Sequence, residues 1–287
     1  MGIKKMLSFI NQYSPNAFKN THVKSIMNKT IVIDASMLLY QFKIKNKLIS
    51  NLFLICTTFR YYNITPIFVF DGKPPKSKES SIEMRKTKKE KFYKEYKDLE
   101  KQLNNNHDDD NVSESTKSRN LDELNKKMNI LKSKCTYITK VDIENVKQLF
   151  NLYGIHWIQS TGEADIVCAY LMKQDVYAVL SDDTDMFGFG CKNVIRSYNI
   201  TTNTFDMYSL SRVLKDTDMT QEQFSHICSL CKTDYHMVDG LGEKKIISNM
   251  NVEYEKLKSL KNSEVPIVQE IHPKEPSSSS LESESES

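Results

Sequence analysis

The chain has 287 residues, of which 39% are hydrophobic and 27% charged, so it can bury a substantial core under a heavily charged surface. Its formal net charge is only +3, so overall charge does not by itself indicate a nucleic-acid partner. No apolar run reaches the length of a membrane span, and no signal peptide is visible. We therefore expect a soluble intracellular protein with no membrane partner, whose six cysteines are reduced thiols.

The apolar runs predict strands that alternate with helices. Strands are expected at about 30–33, 66–70, 155–158, 176–180 and 194–196. A helix is expected at about 48–62, and further helical patterns lie between the later strands. Such alternation predicts an α/β fold with a mostly parallel central sheet flanked by helices.

A long charged insertion follows the second predicted strand, from about 76 to 140. Its first half is rich in strong helix formers, and NNNHDDDN separates it from a second helical run at about 117–134. We predict an antiparallel helix pair that projects from the sheet; a solvated hairpin without a role is the alternative.

The predicted organisation has four segments. Residues 1–75 and 141–262 form the two parts of the α/β domain, and 76–140 form the insertion. Residues 263–287 form an acidic, Ser-rich tail, which carries too little apolar surface to fold and is expected to be disordered.

Acidic residues follow the predicted strands and the turns near them. The carboxylates in this set are Asp34, Asp71, Glu163, Asp165, Asp183, Asp185 and Asp234. In open parallel sheets, ligands bind outside the carboxyl ends of the strands. Acids that converge there would repel one another unless a hard divalent cation, magnesium or manganese, neutralised them. Two such ions would activate a water and stabilise a leaving oxygen, which predicts a two-metal phosphodiesterase.

Helix capping competes with metal binding as the role of some of these acids. Asp34 precedes ASMLLY, a sequence that can begin a helix. Glu163 and Asp165 stand at a predicted helix start, where the dipole favours negative charge. Capping does not explain the whole set, so we prefer the metal interpretation, with Asp182 expected to face away.

Positive charge is concentrated in the insertion. Residues 72–103 contain eleven Lys or Arg against six Asp or Glu. Lys78 and Arg85 are seven residues apart, which places them on one face of a helix. That face can supply fixed positive charge to a scissile phosphate.

The DGLGEKK turn is a weaker phosphate-binding signal. Gly240 and Gly242 would let the backbone approach a phosphate, and Lys244 and Lys245 follow at the start of a helix. The turn gains significance because it lies six residues after Asp234.

Cys228 and Cys231 form a CxxC motif with histidines nearby. A zinc site is conceivable, but no second CxxC or well-spaced histidine pair accompanies it. We expect these cysteines to be small core residues.

With these motifs assembled, the chain resembles the flap endonuclease/XPG superfamily of structure-specific 5′ nucleases, and the flap endonuclease branch most closely. MGIKKML, VIDASMLLYQF, VFDGKPP, GEAD, DDTDMFGFG and TDY…GLGEKK occur in the family's order, over about residues 1–250. The resemblance implies a PIN/5′-nuclease-like sheet, with the insertion as a helical arch through which a free 5′ single strand passes. It also implies that GLGEKK belongs to a C-terminal helix–two-turn–helix region that grips duplex phosphates, often with K⁺.

The same resemblance assigns roles to single residues. The seven carboxylates become the ligands of two Mg²⁺ ions, for which Mn²⁺ can substitute. Lys78 and Arg85 become the catalytic Lys and Arg of the arch, and Tyr40 the aromatic residue on which a base next to the cleaved bond stacks. The implied activity is a 5′ flap endonuclease and 5′–3′ exonuclease, active as a monomer on flaps, nicks and gaps in replication, repair or recombination.

The chain departs from the family at several points. Asp165 stands where relatives commonly have Glu, the interval between Asp34 and Asp71 is shorter, and the turn after Asp234 is tighter. Without a recognisable clamp-binding motif before the acidic tail, recruitment by a sliding clamp is not expected. The low-glycine, Asn/Lys/Ile-rich composition is compatible with a viral or AT-rich genome, so the expected compartment is the nucleus or a cytoplasmic viral replication site.

Two further functions stay open at this point. One is a Holliday-junction or mismatch-repair-type 5′ exonuclease relative, which would prefer other DNA branches. The other is a catalytically weak DNA-binding scaffold of the same fold, against which the complete set of acids and both arch cations argue.

Overall fold

The centre of the protein is a mixed β-sheet. We describe a computed structural model over residues 2, 3, 5–105 and 114–230, without the side chains of residues 77, 102–105, 114–122 and 230. The strands of this part are β1 (Phe18–His22), β2 (Thr30–Asp34), β3 (Thr65–Phe70), β4 (His156–Gln159), β5 (Ala178–Leu180), β6 (Asn193–Asn199) and β7 (Thr204–Ser209).

The sheet has the strand order β1-β7-β6-β5-β2-β3-β4. The five strands β2 to β6 pair in parallel, whereas β7 pairs antiparallel with both β6 and β1. The predicted α/β class with a mostly parallel sheet is therefore confirmed. The antiparallel pair β1 and β7 was not predicted, because β1 (FKNTH) is exposed along most of its length and lacks an apolar pattern.

Helices cover both faces of the sheet and extend from it. They are α1 (Met6–Tyr13), α2 (Ala35–Ile44), α3 (Leu48–Tyr61), α4 (Glu79–Asn105), α5 (Glu114–Cys135), α6 (Lys140–Tyr153), α7 (Ala164–Leu171), α8 (Asp185–Gly188), α9 (Leu210–Thr217) and α10 (Gln221–Leu230). None of these helices is long and apolar enough to span a membrane.

The two faces of β2 belong to different cores. Val32 packs into the core beneath α1, α7, α9 and α10, whereas Ile31 and Ile33 pack into the core beneath α2, α3 and α6. All three side chains are fully buried. This alternation is the ordinary period of a strand, and burial on both faces explains why the strand reads as a continuous apolar run.

The insertion forms the expected helix pair. Helices α4 and α5 pack together, with Lys134 Nζ 4.9 Å from the ring centroid of Phe92. Helix α5 begins at Glu114, a few residues before its expected start. The NNNHDDDN tip and residues 231–287 lie outside the described part, so the division into four segments stays a prediction.

The core between α6 and the sheet depends on one aromatic stack. Phe150 is fully buried, and its ring centroid lies 4.2 Å from that of Phe68 and 6.1 Å from that of Phe70. Phe70 is the last residue of β3, one position before Asp71. The stack therefore fixes the end of the strand that carries a predicted site residue.

We expect Phe150→Ala to lower the free energy of unfolding by about 3–5 kcal/mol, because it removes a buried ring and leaves a cavity. Urea unfolding followed by circular dichroism measures this change. Leu152→Ala, on the same helix but 86% exposed, is the matched control and should change stability by less than about 0.5 kcal/mol. Equal losses in the two variants would contradict the assignment of the core.

Candidate active site

Asp34 and Asp71 meet at the carboxyl edge of the sheet. Asp34 ends β2, and Asp71 follows the last residue of the parallel neighbour β3. Ser36 contacts both carboxylates: its N–H donates to Asp34 Oδ1 at 3.0 Å and its hydroxyl donates to Asp71 Oδ2 at 2.5 Å. Asp34 therefore caps α2, as the sequence allowed, and shares the Ser36 contact with the Asp71 carboxylate.

The GEAD loop is held against Asp71 by close backbone contact. The Gly72 N–H donates to the Gly162 carbonyl at 2.6 Å, and the Ala164 N–H donates to Asp71 Oδ1 at 2.9 Å. A Cβ at Gly72 would overlap the Ser160 carbonyl oxygen. Glycine after Asp71 is therefore what allows Glu163 and Asp165 to approach the first two acids.

The loop after β5 brings in the second aspartate pair. The Ser181 hydroxyl donates to Asp34 Oδ2 at 3.2 Å and accepts the Asp183 N–H at 3.1 Å. Asp183 and Asp185 are both more than 90% buried, and the Asp185 N–H donates to Asp183 Oδ1 at 2.9 Å. One serine therefore connects the acids of β2 with those that follow β5.

Asp182 has a different environment from its neighbours. Its Oδ1 accepts the N–H of Ser197 at 2.9 Å, where β6 is irregular and Ser197 has a φ of 52°. Asp182 still reaches the rim of the site cavity, but this carboxylate supports the bulge in β6.

Gly2 and Ile3 pack against the same loop, a contact that no motif predicted. Thr184 Oγ1 donates to the Ile3 carbonyl at 3.0 Å. Gly2 has a φ of +93°, and a Cβ at that position would overlap Asp183 Oδ1. The glycine of MGIKKML was the available signal, because it lets the backbone lie directly against a buried carboxylate.

These elements enclose a cavity of about 460 Å³. The predicted site residues that line it are Asp34, Tyr40, Asp71, Lys78, Arg85, Glu163, Asp165 and Asp183. Asp185 lies behind Asp183, through the hydrogen bond given above. Asp234, Gly240, Gly242, Lys244 and Lys245 lie outside the described residues.

The base of the insertion contributes positive charge to this cavity. Lys78 Nζ donates to Glu163 Oε1 at 2.5 Å, and the two side chains are 13% and 15% exposed. Lys78 lies in a short 3₁₀ turn (Lys76–Lys78) before α4, and Arg85 lies in α4 itself. Lys78 therefore lies just before the α-helix that was expected to carry both residues, but both side chains line the cavity.

Burial and the neighbouring carboxylates raise the pKa of two of the acids. Burial, followed by the charge of Asp71, raises the pKa of Asp34 from 3.8 to about 7. Burial, followed by the charges of Asp34, Asp183 and Asp71, raises the pKa of Asp165 to about 8. The ionised cluster is therefore electrostatically unfavourable without added positive charge.

The chemistry of the site fits a hard divalent cation. All the acidic side chains present oxygen, and Glu163 Oε2 is buried without a hydrogen bond from the described residues. In that part of the chain, no three Asp, Glu, His or Cys side chains lie close enough to enclose one ion. Mg²⁺ retains several waters and commonly takes only one or two carboxylates directly, so binding of a hydrated ion does not require three side chains around it.

The alternative zinc motif lies apart from this chemistry. Cys228 is buried in the core beneath α10, as expected for a small apolar side chain, and Cys231 is outside the described residues.

A second layer of residues positions Asp71 and was also missed from the sequence. Gln159 Nε2 donates to the Asp71 carbonyl at 2.7 Å, and Lys147 Nζ donates to Gln159 Oε1 at 3.0 Å. Lys147 Nζ also lies 4.6 Å from the ring centroid of Trp157. These contacts join residues of α6 and β4, and no local sequence pattern reports them.

We expect the metal-free protein to lose stability as pH rises from about 4 to 8. The folded pKa values of Asp34 and Asp165 are raised, so the folded state retains protons that the unfolded chain has released. The stabilisation is complete below the unfolded pKa and is lost as pH rises through the folded values. The raised pKa of Asp34 alone corresponds to a loss of at most about 4 kcal/mol in the free energy of unfolding, at 1.36 kcal/mol per pKa unit.

Urea unfolding in EDTA at pH 5 to 8.5 measures this decline. Asp165→Asn should flatten it, and MgCl₂ should restore stability at pH 8. Asp175→Asn, at an exposed position outside the cavity, should leave the slope unchanged. An identical slope in the wild type and Asp165→Asn would refute the electrostatic account.

Comparison with known families and structures agrees with this geometry. The XPG N-terminal domain model matches residues 1–92, and the XPG I-region model matches residues 154–234. A flap endonuclease 1 of Plasmodium chabaudi chabaudi is 30% identical over 277 residues, covering 85% of this chain and 54% of the relative. The chain spans only 38–54% of the length of three Plasmodium relatives that it matches.

Two solved structures share the fold. The catalytic core of Rad2 in complex with DNA substrate superposes with a TM-score of 0.59 at 22% identity, over 93% of this chain and 77% of that one. Flap endonuclease-1 from Methanococcus jannaschii gives a TM-score of 0.53 at 25% identity, over 90% of this chain and 77% of that one. Because the two family models together match more than half of the residues, and do so in the order of the acidic motifs, the chain belongs to the flap endonuclease/XPG superfamily.

Proposed function

We propose that this protein is a magnesium-dependent, structure-specific 5′ nuclease that cleaves DNA phosphodiesters at flaps, nicks and gaps. The observation that carries the proposal is the single cavity into which both the acids of the sheet edge and the cations Lys78 and Arg85 project. Two-metal cleavage of a phosphodiester uses both kinds of group: the acids hold the metal ions, and the fixed positive charges stabilise the phosphate. The relatives named flap endonuclease 1 support the same activity.

The proposed metal ligands are the seven acids of the sequence analysis. The described ones are Asp34, Asp71, Glu163, Asp165, Asp183 and Asp185, and Asp234 completes the set. When bound, two Mg²⁺ ions, or Mn²⁺ in their place, would activate a water and stabilise the leaving oxygen.

The side chains of the arch orient and stabilise the substrate. The Lys78 ammonium is already held at the cavity wall by Glu163, so its charge is in place before a phosphate enters. Arg85 offers a planar fork of donors that matches phosphate oxygens. The Tyr40 ring, 40% exposed on the same wall, can stack a base beside the cleaved bond.

The substrate class follows from the insertion. Lys78, Ile82 and Arg85 line the cavity from the first turns of the arch, so a strand that reaches the acids passes the base of α4. We therefore propose that a free 5′ single strand threads beneath the arch that α4 and α5 form. A duplex contact through Gly240, Gly242, Lys244 and Lys245, with K⁺, rests on the family resemblance alone.

A panel of DNA substrates in MgCl₂ tests this proposal. The substrates are a 5′ flap with a free end, the same flap with its end blocked by streptavidin, a nick, a gap, a four-way junction and an unbranched duplex. We expect cleavage of the free flap, nick and gap and strong inhibition by the block. Asp183→Asn should lower cleavage at least about 10³-fold while DNA affinity changes little.

Asparagine keeps the size of Asp183 and the oxygen that accepts the Asp185 N–H, so this variant should fold. Asp175→Asn is the matched control and should cleave like the wild type. Preference for the four-way junction would favour the Holliday-junction alternative. Binding without cleavage of any branched substrate would favour the scaffold.

We expect Lys78→Ala and Arg85→Ala each to lower the single-turnover cleavage rate about 10²- to 10³-fold, as when one donor to a developing charge is removed. Binding affinity should change much less, because one phosphate contact is a small part of the interface. Lys94→Ala, at an exposed position of α4, is the control for lost charge. An equal loss in Lys94→Ala would contradict a specific role for the cavity cations, and melting curves exclude unfolding.

A further inference from the structure

The ammonium of Lys89 contacts two tyrosine rings at the base of the arch. Lys89 Nζ lies 4.9 Å from the ring centroid of Tyr40 and 4.5 Å from that of Tyr137. Its N–H also donates to the Thr136 carbonyl at 3.0 Å. Lys89 on α4 thus joins α2, which carries Tyr40, to the segment between α5 and α6, which carries Tyr137.

The two rings lie close enough for a single guest to contact both. Because both contact one ammonium, their centroids are no farther apart than the sum of the two Lys89 distances. A planar base between two rings needs about 7–8 Å, twice a van der Waals contact of 3.5–4 Å. The rings of Tyr40 and Tyr137 are 40% and 44% exposed, so neither is covered by the protein core.

The position of the rings indicates what the guest would be. Tyr40 lines the acidic cavity, and Arg85, which also lines it, lies four residues before Lys89 on the same face of α4. A single strand whose phosphate contacts Arg85 would carry its neighbouring base toward the two tyrosines. Base–aromatic stacking is at least as strong as one cation–π contact, so a base that stacks on both rings can replace the half-buried ammonium, whose charge is then available to a backbone phosphate.

We propose that Tyr40 and Tyr137 form a two-walled stacking slot for one unpaired nucleobase of the substrate, which Lys89 fills when DNA is absent. The proposal rests on the proposed function and extends it, because the family resemblance assigns stacking to Tyr40 only. Tyr137 becomes a binding residue that selects substrates with an unpaired base next to the cleaved bond.

The competing explanation is structural: the Lys89 contacts hold the arch against the sheet domain and never meet a base. The two explanations differ in one measurable respect. A stacking residue loses its effect when the stacked base is deleted from the substrate, whereas a structural residue affects every substrate by the same factor.

The experiment measures kcat/KM and DNA affinity on a 5′ flap and on copies with one abasic residue at each position near the junction. The proteins are the wild type, Tyr40→Ala, Tyr137→Ala, Tyr137→Phe and Tyr93→Ala, the last an exposed tyrosine elsewhere on α4. We expect an abasic residue at one position to lower the kcat/KM of the wild type about 5- to 100-fold. Tyr137→Ala should lower kcat/KM by a similar factor on intact DNA. On the substrate that already lacks the stacked base, the same variant should differ little from the wild type.

Tyr137→Phe, which keeps the ring, and Tyr93→Ala should match the wild type on every substrate. Equal losses for Tyr137→Ala on the intact and all abasic substrates would overturn the slot in favour of the structural role. No loss for Tyr137→Ala would also overturn it. If the wild type cleaves none of the flaps, the proposed function fails separately, and the same comparison of affinities still decides whether the slot exists.

Discussion

The structure depends on holding several carboxylates together against their mutual repulsion at one edge of a parallel sheet. Burial, followed by the charges of the neighbouring acids, raises the pKa values of Asp34 and Asp165. Neutral donors hold the acids in place: the hydroxyls of Ser36 and Ser181 and the Ala164 N–H. Such donors fix positions without removing the need for cations, so the arrangement is suited to binding metal.

The first turns of the arch complete the site in two different ways. Lys78 compensates charge directly, through its short contact with Glu163. One turn beyond Arg85 on α4, Lys89 contacts the rings of Tyr40 and Tyr137 and connects α4 to the sheet domain. The ion pair of Lys78 and the aromatic contacts of Lys89 therefore both lie at the base of the arch, as the proposed phosphate binding and base stacking require.

Much of the fold could be predicted because its signals are local. The apolar run that ends at Asp34 is buried on both faces, and this burial is what a continuous run of Ile and Val encodes. The edge strand β1 was missed because it has no fully buried side chain and is defined by pairing with β7, more than 180 residues later. Its existence depends on a non-local partner that no pattern in FKNTH reveals.

The sequence by itself determined which acids and cations are available, since their types and order carry the family motifs. Only the tertiary structure decided how they are held. Ser36 bridges two acids, Gly2 and Gly72 let backbone lie against the site, and Gln159 positions Asp71. These roles arise from contacts between residues far apart in the chain, where hydrogen-bond direction and close packing matter and local periodicity carries no information.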